Sequence, residues 1–145
     1  MSEIKQEFLS WYEQETLDTI VLPETIARQY DAEACLKHAR DKSTYLLRSK
    51  SDGALFVLKQ ASRFAKGSLQ DEYDVLSSLD HSAFPKAIAC MEEGEHAYLL
   101  REYVQGGTLG SEVERRGALS GQDAAKAAIA VCRSLSYLHK QVPPI

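Results

Sequence analysis

The sequence predicts an α+β fold, and three observations carry that expectation. Short runs rich in β-branched and aromatic residues, bounded by turn residues, fill the stretch from Tyr30 to Leu100. One segment among them, opening at Ser68, repeats its apolar residues at helical spacing. Two further segments, opening near Thr108 and at Ser120, carry helix-start signals with no strand pattern after them.

Composition narrows the class. A chain of 145 residues can bury the core of one domain. Its hydrophobic fraction of 44% and charged fraction of 26% place it among globular chains and not disordered ones. The net charge of -4, with no Lys/Arg cluster, argues against nucleic acid as a partner. No apolar run approaches the roughly 20 residues that span a bilayer, and no signal-peptide pattern opens the chain. The expectation is a cytoplasmic protein without a membrane partner. Cys35, Cys90 and Cys132 are odd in number and widely spaced, so they read as buried free thiols in a reducing compartment. The four histidines show no ligand spacing, and no metal site is expected. His38 and His96 fall in expected turns, and His81 reads as structural.

Residues 1–29 read as a helical extension. Ile4, Phe8, Trp11 and Tyr12 share one helical face, with Ser2 as its cap. Ile20-Val21-Leu22 then meets Pro23, a residue suited to open a short helix from Glu24 to Gln29. Such an extension either docks on the downstream strands and regulates them or simply covers exposed sheet. Apolar stripes more often signal burial than control.

Tyr30 to Leu36 and Thr44 to Arg48 read as strands, with Lys37 to Ser43 as the loop between them. Asp52-Gly53 makes a turn into Ala54-Leu55-Phe56-Val57-Leu58-Lys59, a buried strand with a lysine at its inner end. A desolvated ammonium costs several kcal/mol, on the order of magnitude, unless it is paired. The next element offers a partner. Ser68-Leu69-Gln70-Asp71 has the form of a capping box, and Leu69, Tyr73, Leu76 and Leu79 recur at helical spacing. Glu72 falls near the first turn of that helix, beside its apolar stripe. Ser77 to Pro85 then leads into strand Ala87 to Glu92, a turn at Glu93-Gly94-Glu95, and strand Ala97 to Leu100.

Beyond Gly106-Gly107, Thr108 to Arg116 reads as a short helix ended by Gly117. Ser120-Gly121-Gln122-Asp123 opens a longer helix that runs to about His139, ahead of Pro143-Pro144. Its Ala125, Ala128, Ile129, Cys132, Leu135 and Leu138 form one broad apolar face, widened by Ala124 and Val131. Left uncovered, that face is expected to pair with a second copy as a homodimer; the alternative is that the Ile4-Phe8-Trp11 helix folds back and covers it within one chain.

The ordered set of segments resembles the N-terminal half of a protein kinase domain of serine/threonine type, over roughly Tyr30 to Ile145. The segments are the Lys59 strand, Glu72-x-x-x-Leu76-x-x-Leu79-x-His81, Arg101-Glu102-Tyr103-Val104-Gln105-Gly106-Gly107-Thr108-Leu109, and Leu135-Ser136-Tyr137-Leu138-His139. The resemblance implies a twisted five-stranded antiparallel sheet with one main helix, followed by two helices of a second lobe. It makes 30–103 the nucleotide-binding lobe and 104–145 the hinge and first helices of an incomplete second lobe.

The same resemblance implies ATP as cofactor and Lys59 and Glu72 as the catalytic pair, with Lys59 on the α- and β-phosphates and Glu72 orienting it. Thr44 and Val57 would flank the adenine, Glu102 and Val104 would offer it backbone groups, and Thr108 would lie near the ribose. Arg101, at the back of the pocket, either reaches the Glu72 carboxylate in competition with Lys59 or turns outward into solvent.

The pattern departs from the family in two places. Counting back from Lys59 puts Lys37, Ala39 and Lys42 on the three positions of the glycine-rich loop, and none is glycine. Without glycines the backbone cannot close over phosphates in the family's manner, so ATP is expected to bind weakly. Lys37, Arg40 and Lys42 attract phosphate by charge or form an ordinary solvated loop. Secondly, no H-R-D, D-F-G or A-P-E occurs, and Pro143-Pro144-Ile145 stands where H-R-D would begin. This polypeptide alone is expected to be inactive. Magnesium, a protein substrate and phosphoryl transfer to its hydroxyl groups belong to a complete kinase. The alternatives are a non-catalytic, pseudokinase-type interaction module and a kinase-like small-molecule phosphotransferase.

Overall fold

A computed structural model describes residues 18–65 and 67–145. The helix expected from Ile4, Phe8, Trp11 and Tyr12 lies outside the described residues. The chain divides into two compact units, one ending at Tyr103 and the other spanning Val104–Ile145.

The first unit is built on a five-stranded antiparallel sheet of strand order β1-β2-β3-β5-β4. Its elements are α1 (Glu24–Ala27), β1 (Tyr30–Ala39), β2 (Lys42–Ser49), β3 (Leu55–Ser62), α2 (Leu69–Ser78), β4 (Ala87–Glu93) and β5 (His96–Glu102). The Lys59 strand is thus central, and both its faces are covered. Successive side chains of a strand point to opposite faces. Leu58 joins Tyr45, Leu47, Tyr98 and Leu100 on one face, closed by Ile26 of α1 with Ile20 and Leu22 ahead of it. On the other face Ala61 and Leu99 pack against Leu69 and Tyr73 of α2. Leu47, Leu58 and Leu99 are fully buried, and each such side chain contributes about 1.5–3 kcal/mol by leaving water. Burial on both faces explains why this strand is written as an unbroken apolar run.

Of the described residues before the sheet, Ile20, Leu22 and Ile26 therefore cover one sheet face. α1 is shorter than expected, ending at Ala27 and not Gln29. The reason lies in Lys50, whose Nζ donates to the Ala27 carbonyl (2.7 Å) while its N–H donates to the Gln29 carbonyl (2.9 Å). These bonds draw the helix end toward the β2–β3 turn. Gly53 in that turn has φ +73°, a conformation that a side chain disfavours.

The stretch expected as an open loop, Lys37 to Ser43, is mostly strand. β1 runs on to Ala39 and β2 begins at Lys42, leaving Arg40-Asp41 as a two-residue turn. Cross-strand pairing wins because the segment has no glycine or proline to break it, and His38 Nδ1 and Ser43 Oγ share a hydrogen bond of 2.8 Å. His38 and His96, expected in turns, accordingly lie in strands. Of the cysteines only Cys35 is buried; Cys90 is half-buried and Cys132 exposed, against the expectation for all three.

The second unit carries α3 (Leu109–Arg116) and α4 (Gly121–His139). Thr108 caps α3 by accepting from the Ser111 N–H (3.1 Å), and Gly117 ends it at φ +84°. Ser120 caps α4 through the Asp123 N–H (3.1 Å). Ile129, Val131 and Leu135 of α4 are exposed. Among the described residues no helix is long and apolar enough to cross a membrane.

Candidate functional site: a lysine–glutamate pair beside a basic cleft

The site starts from the way α2 begins. Ser68 Oγ accepts from the N–H groups of Gln70 (3.0 Å) and Asp71 (3.3 Å), which fixes the first turn. Leu69 and Tyr73 then anchor the helix on the Leu99 face of the sheet. This rotation leaves Glu72 facing β3, where Lys59 stands on the same sheet face as Val57 and Ala61. The two side chains meet at 2.6 Å, Lys59 Nζ donating to Glu72 Oε1. They are 30% and 35% exposed, so the pair is half-desolvated and still reachable from solvent.

Register places the remaining candidates. Lys59 lies opposite Thr44 on β2 and Leu99 on β5, and Val57 lies opposite Arg101. Directly opposed residues share a face, so Thr44, Val57, Lys59 and Arg101 line the same side of the sheet. A cleft of about 640 Å³ opens over part of that side, walled by Thr44, Lys59 and Glu72 and roofed by the β1–β2 hairpin; Val57 and Arg101 do not line it.

Arg101 follows neither of the courses expected from sequence. Its guanidinium is half-buried and donates through Nη1 to the main-chain oxygen of Glu102 at 3.1 Å. Among the described residues the ion pair of Glu72 is with Lys59. Glu102 itself is clamped to the segment before β4. Its N–H donates to the Lys86 carbonyl (3.0 Å), and its Oε2 accepts from the Lys86 N–H (3.1 Å). Val104 and Thr108 belong to the second unit, where Val104 is exposed and Thr108 serves as the α3 cap. Sequence reasoning left open whether Lys37 and Lys42 face this cleft; the parity of each residue with Thr44 across the tight hairpin supplies the answer.

The described residues do not fit a magnesium site. Two carboxylates face the cleft, and one of them, Glu72, is held by Lys59. Among the described residues no group of three or more His, Cys, Asp or Glu is placed to hold a metal ion. For a polyphosphate the fit is good, since cationic side chains outnumber carboxylates around the cleft.

An antiparallel five-stranded sheet, one helix crossing its face and a strand lysine bound to that helix's glutamate define a class. The chain belongs to the protein kinase domain family, whose model matches residues 42–142. It is 28% identical over 120 residues to calcium/calmodulin-dependent protein kinase type 1 of Caenorhabditis elegans, covering 79% of this chain and 34% of that protein. It is 26% identical over 113 residues to the serine/threonine-protein kinase RUNKEL of Arabidopsis thaliana, covering 78% of this chain and 8% of that protein. The chain therefore spans about a third or less of the length of these relatives. The crystal structure of Rad53 1-466 in complex with AMP-PNP superposes with a TM-score of 0.67 at 19% identity, over 78% of this chain and 31% of that one. That likeness shows the fold.

Proposed function

We propose that the unit ending at Tyr103 is the ATP-binding lobe of a serine/threonine protein kinase, serving phosphoryl transfer from ATP to protein hydroxyl groups in the complete protein. The observation that carries this reading is the 2.6 Å pair of Lys59 and Glu72 beside a cleft of about 640 Å³. Lys59 contacts the α- and β-phosphates, and Glu72 holds its ammonium in place against the sheet. Thr44 and Val57 flank the adenine, and the main chain of Glu102 meets its edge. ATP brings the transferable phosphoryl group; the chain's own residues bind and orient it.

Calorimetric titration of the whole chain with ATP tests the reading. The expected dissociation constant is high micromolar or weaker, about -5 kcal/mol, because no glycine lies over the phosphates. Lys59→Met should abolish the measurable heat while leaving the circular dichroism unchanged. No binding of ATP at several times that concentration, or equal binding by the variant, would overturn it.

A further inference from the structure

The β1–β2 hairpin carries an arrangement that the nucleotide-binding reading leaves unused. In β1 the register slips by one residue at Leu36: Cys35 pairs with Tyr45, and the next pair is Lys37 with Thr44. A bulge of this kind re-aims the side chains beyond it. Without it, Leu36 would stand opposite Thr44; with it, Lys37 does. Lys37, Thr44 and Lys59 therefore form one row across three strands, with the two ammonium-bearing residues on the order of 10 Å apart by strand spacing. In the next row Ala39, Lys42 and Ala61 stand opposite one another on the same face. The Lys42 ammonium reaches over the cleft toward the β3–α2 connection, 3.8 Å from the point where a Cβ on Gly67 would lie.

Charge completes the picture. Lys37, Arg40, Lys42 and Lys59 border the cleft against Asp41 and Glu72. Lys59 and Glu72 neutralise each other, and among the described residues Lys37, Arg40 and Lys42 make no ion pair. A chain with a net charge of -4 thus gathers an excess of cations on one concave surface. Concave, low-dielectric walls of one sign focus the field on an anion of opposite sign.

We propose that Lys37 and Lys42 are phosphate-binding side chains, so that the cleft grips a nucleotide's polyphosphate through a three-lysine cradle with Lys59. This rests on the nucleotide-binding reading above. Two ammonium groups on the antiparallel β1–β2 hairpin stand in for the main-chain N–H groups that a glycine-rich turn would present. An ammonium is a point charge on a flexible stem, and it needs no close backbone approach. Because two of the three lysines of the cradle, Lys37 and Lys42, are exposed, binding should weaken steeply with salt.

The experiment titrates the whole chain with ATP and, separately, with adenosine. Lys37→Gln and Lys42→Gln should each weaken ATP about three- to fivefold and leave adenosine unchanged, as removal of one partly screened phosphate contact implies. Lys42→Arg should restore most of the ATP affinity. Asp41→Asn, which removes a carboxylate from the same rim, should tighten ATP about two- to threefold, a change of sign that loss of folding cannot imitate. ATP binding by both glutamine variants within about twofold of the unaltered chain, with adenosine also unchanged, would overturn the cradle and leave the nucleotide reading standing. Failure of the unaltered chain to bind either ATP or adenosine would overturn both.

Discussion

Arg101 donates from Nη1 to the main-chain oxygen of its own neighbour, Glu102, at 3.1 Å. That oxygen is the acceptor the kinase fold offers to the amino group of adenine in the proposed function. A carbonyl has two lone pairs, and the arginine occupies one of them. The guanidinium also places positive charge where the base's own N–H donor would approach.

Arg101→Met should therefore strengthen base binding. The expected outcome is a two- to fivefold tighter dissociation constant for adenosine, about 0.4–1 kcal/mol, within the range of one hydrogen bond. Adenosine is the right probe because it lacks the phosphates that a lost cation would also affect. Unchanged or weaker adenosine binding by Arg101→Met would show that the Glu102 carbonyl is not the base's acceptor.

The start of α2 links fold to site. Ser68 caps two N–H groups four residues ahead of Glu72, so loosening the cap loosens the carboxylate that holds Lys59. Ser68→Ala should cost about 1 kcal/mol of stability by urea denaturation. ATP affinity should fall modestly with it, while Ser120→Ala, an equivalent cap on α4, should leave ATP affinity unchanged. Equal effects of the two variants on ATP would detach the cap from the site.

Much of this fold was legible because each element is signalled locally. The apolar run ending in Lys59, the cap at Ser68 and the spacing of Leu69 and Tyr73 all state their structure within a dozen residues. So did the helix starts at Thr108 and Ser120, where a side-chain oxygen three residues ahead of an N–H is enough. The ion pair of Lys59 with Glu72 followed from a cost argument: a lysine inside a sheet needs a carboxylate, and the next helix had one.

What was not legible depends on long-range register. The length of the β1–β2 hairpin is decided by which residue stands opposite which, and one slip at Leu36 moves Lys37 to the cleft face. The course of Arg101 turns on a carbonyl one residue away that competes with a carboxylate on another element, a choice that packing makes. The early end of α1 depends on Lys50, more than twenty positions along the chain. Burial of Cys90 and Cys132 was misjudged because an apolar neighbourhood in sequence does not say which way a strand or helix faces.

The most direct test of the central claim asks whether ATP touches Lys59. The Lys59 side chain is 30% exposed, so an amine-directed acylating reagent can reach it, and its modification can be counted by peptide mass. With ATP at several times its dissociation constant, acylation of Lys59 should slow by about threefold or more, in line with the fraction of sites occupied. Lys126, on α4 in the other unit and paired with Asp123, should react at the same rate with and without ATP. Equal protection of Lys59 and Lys126, or no protection of either at a concentration where calorimetry shows ATP bound, would contradict the assignment of Lys59 to the nucleotide phosphates.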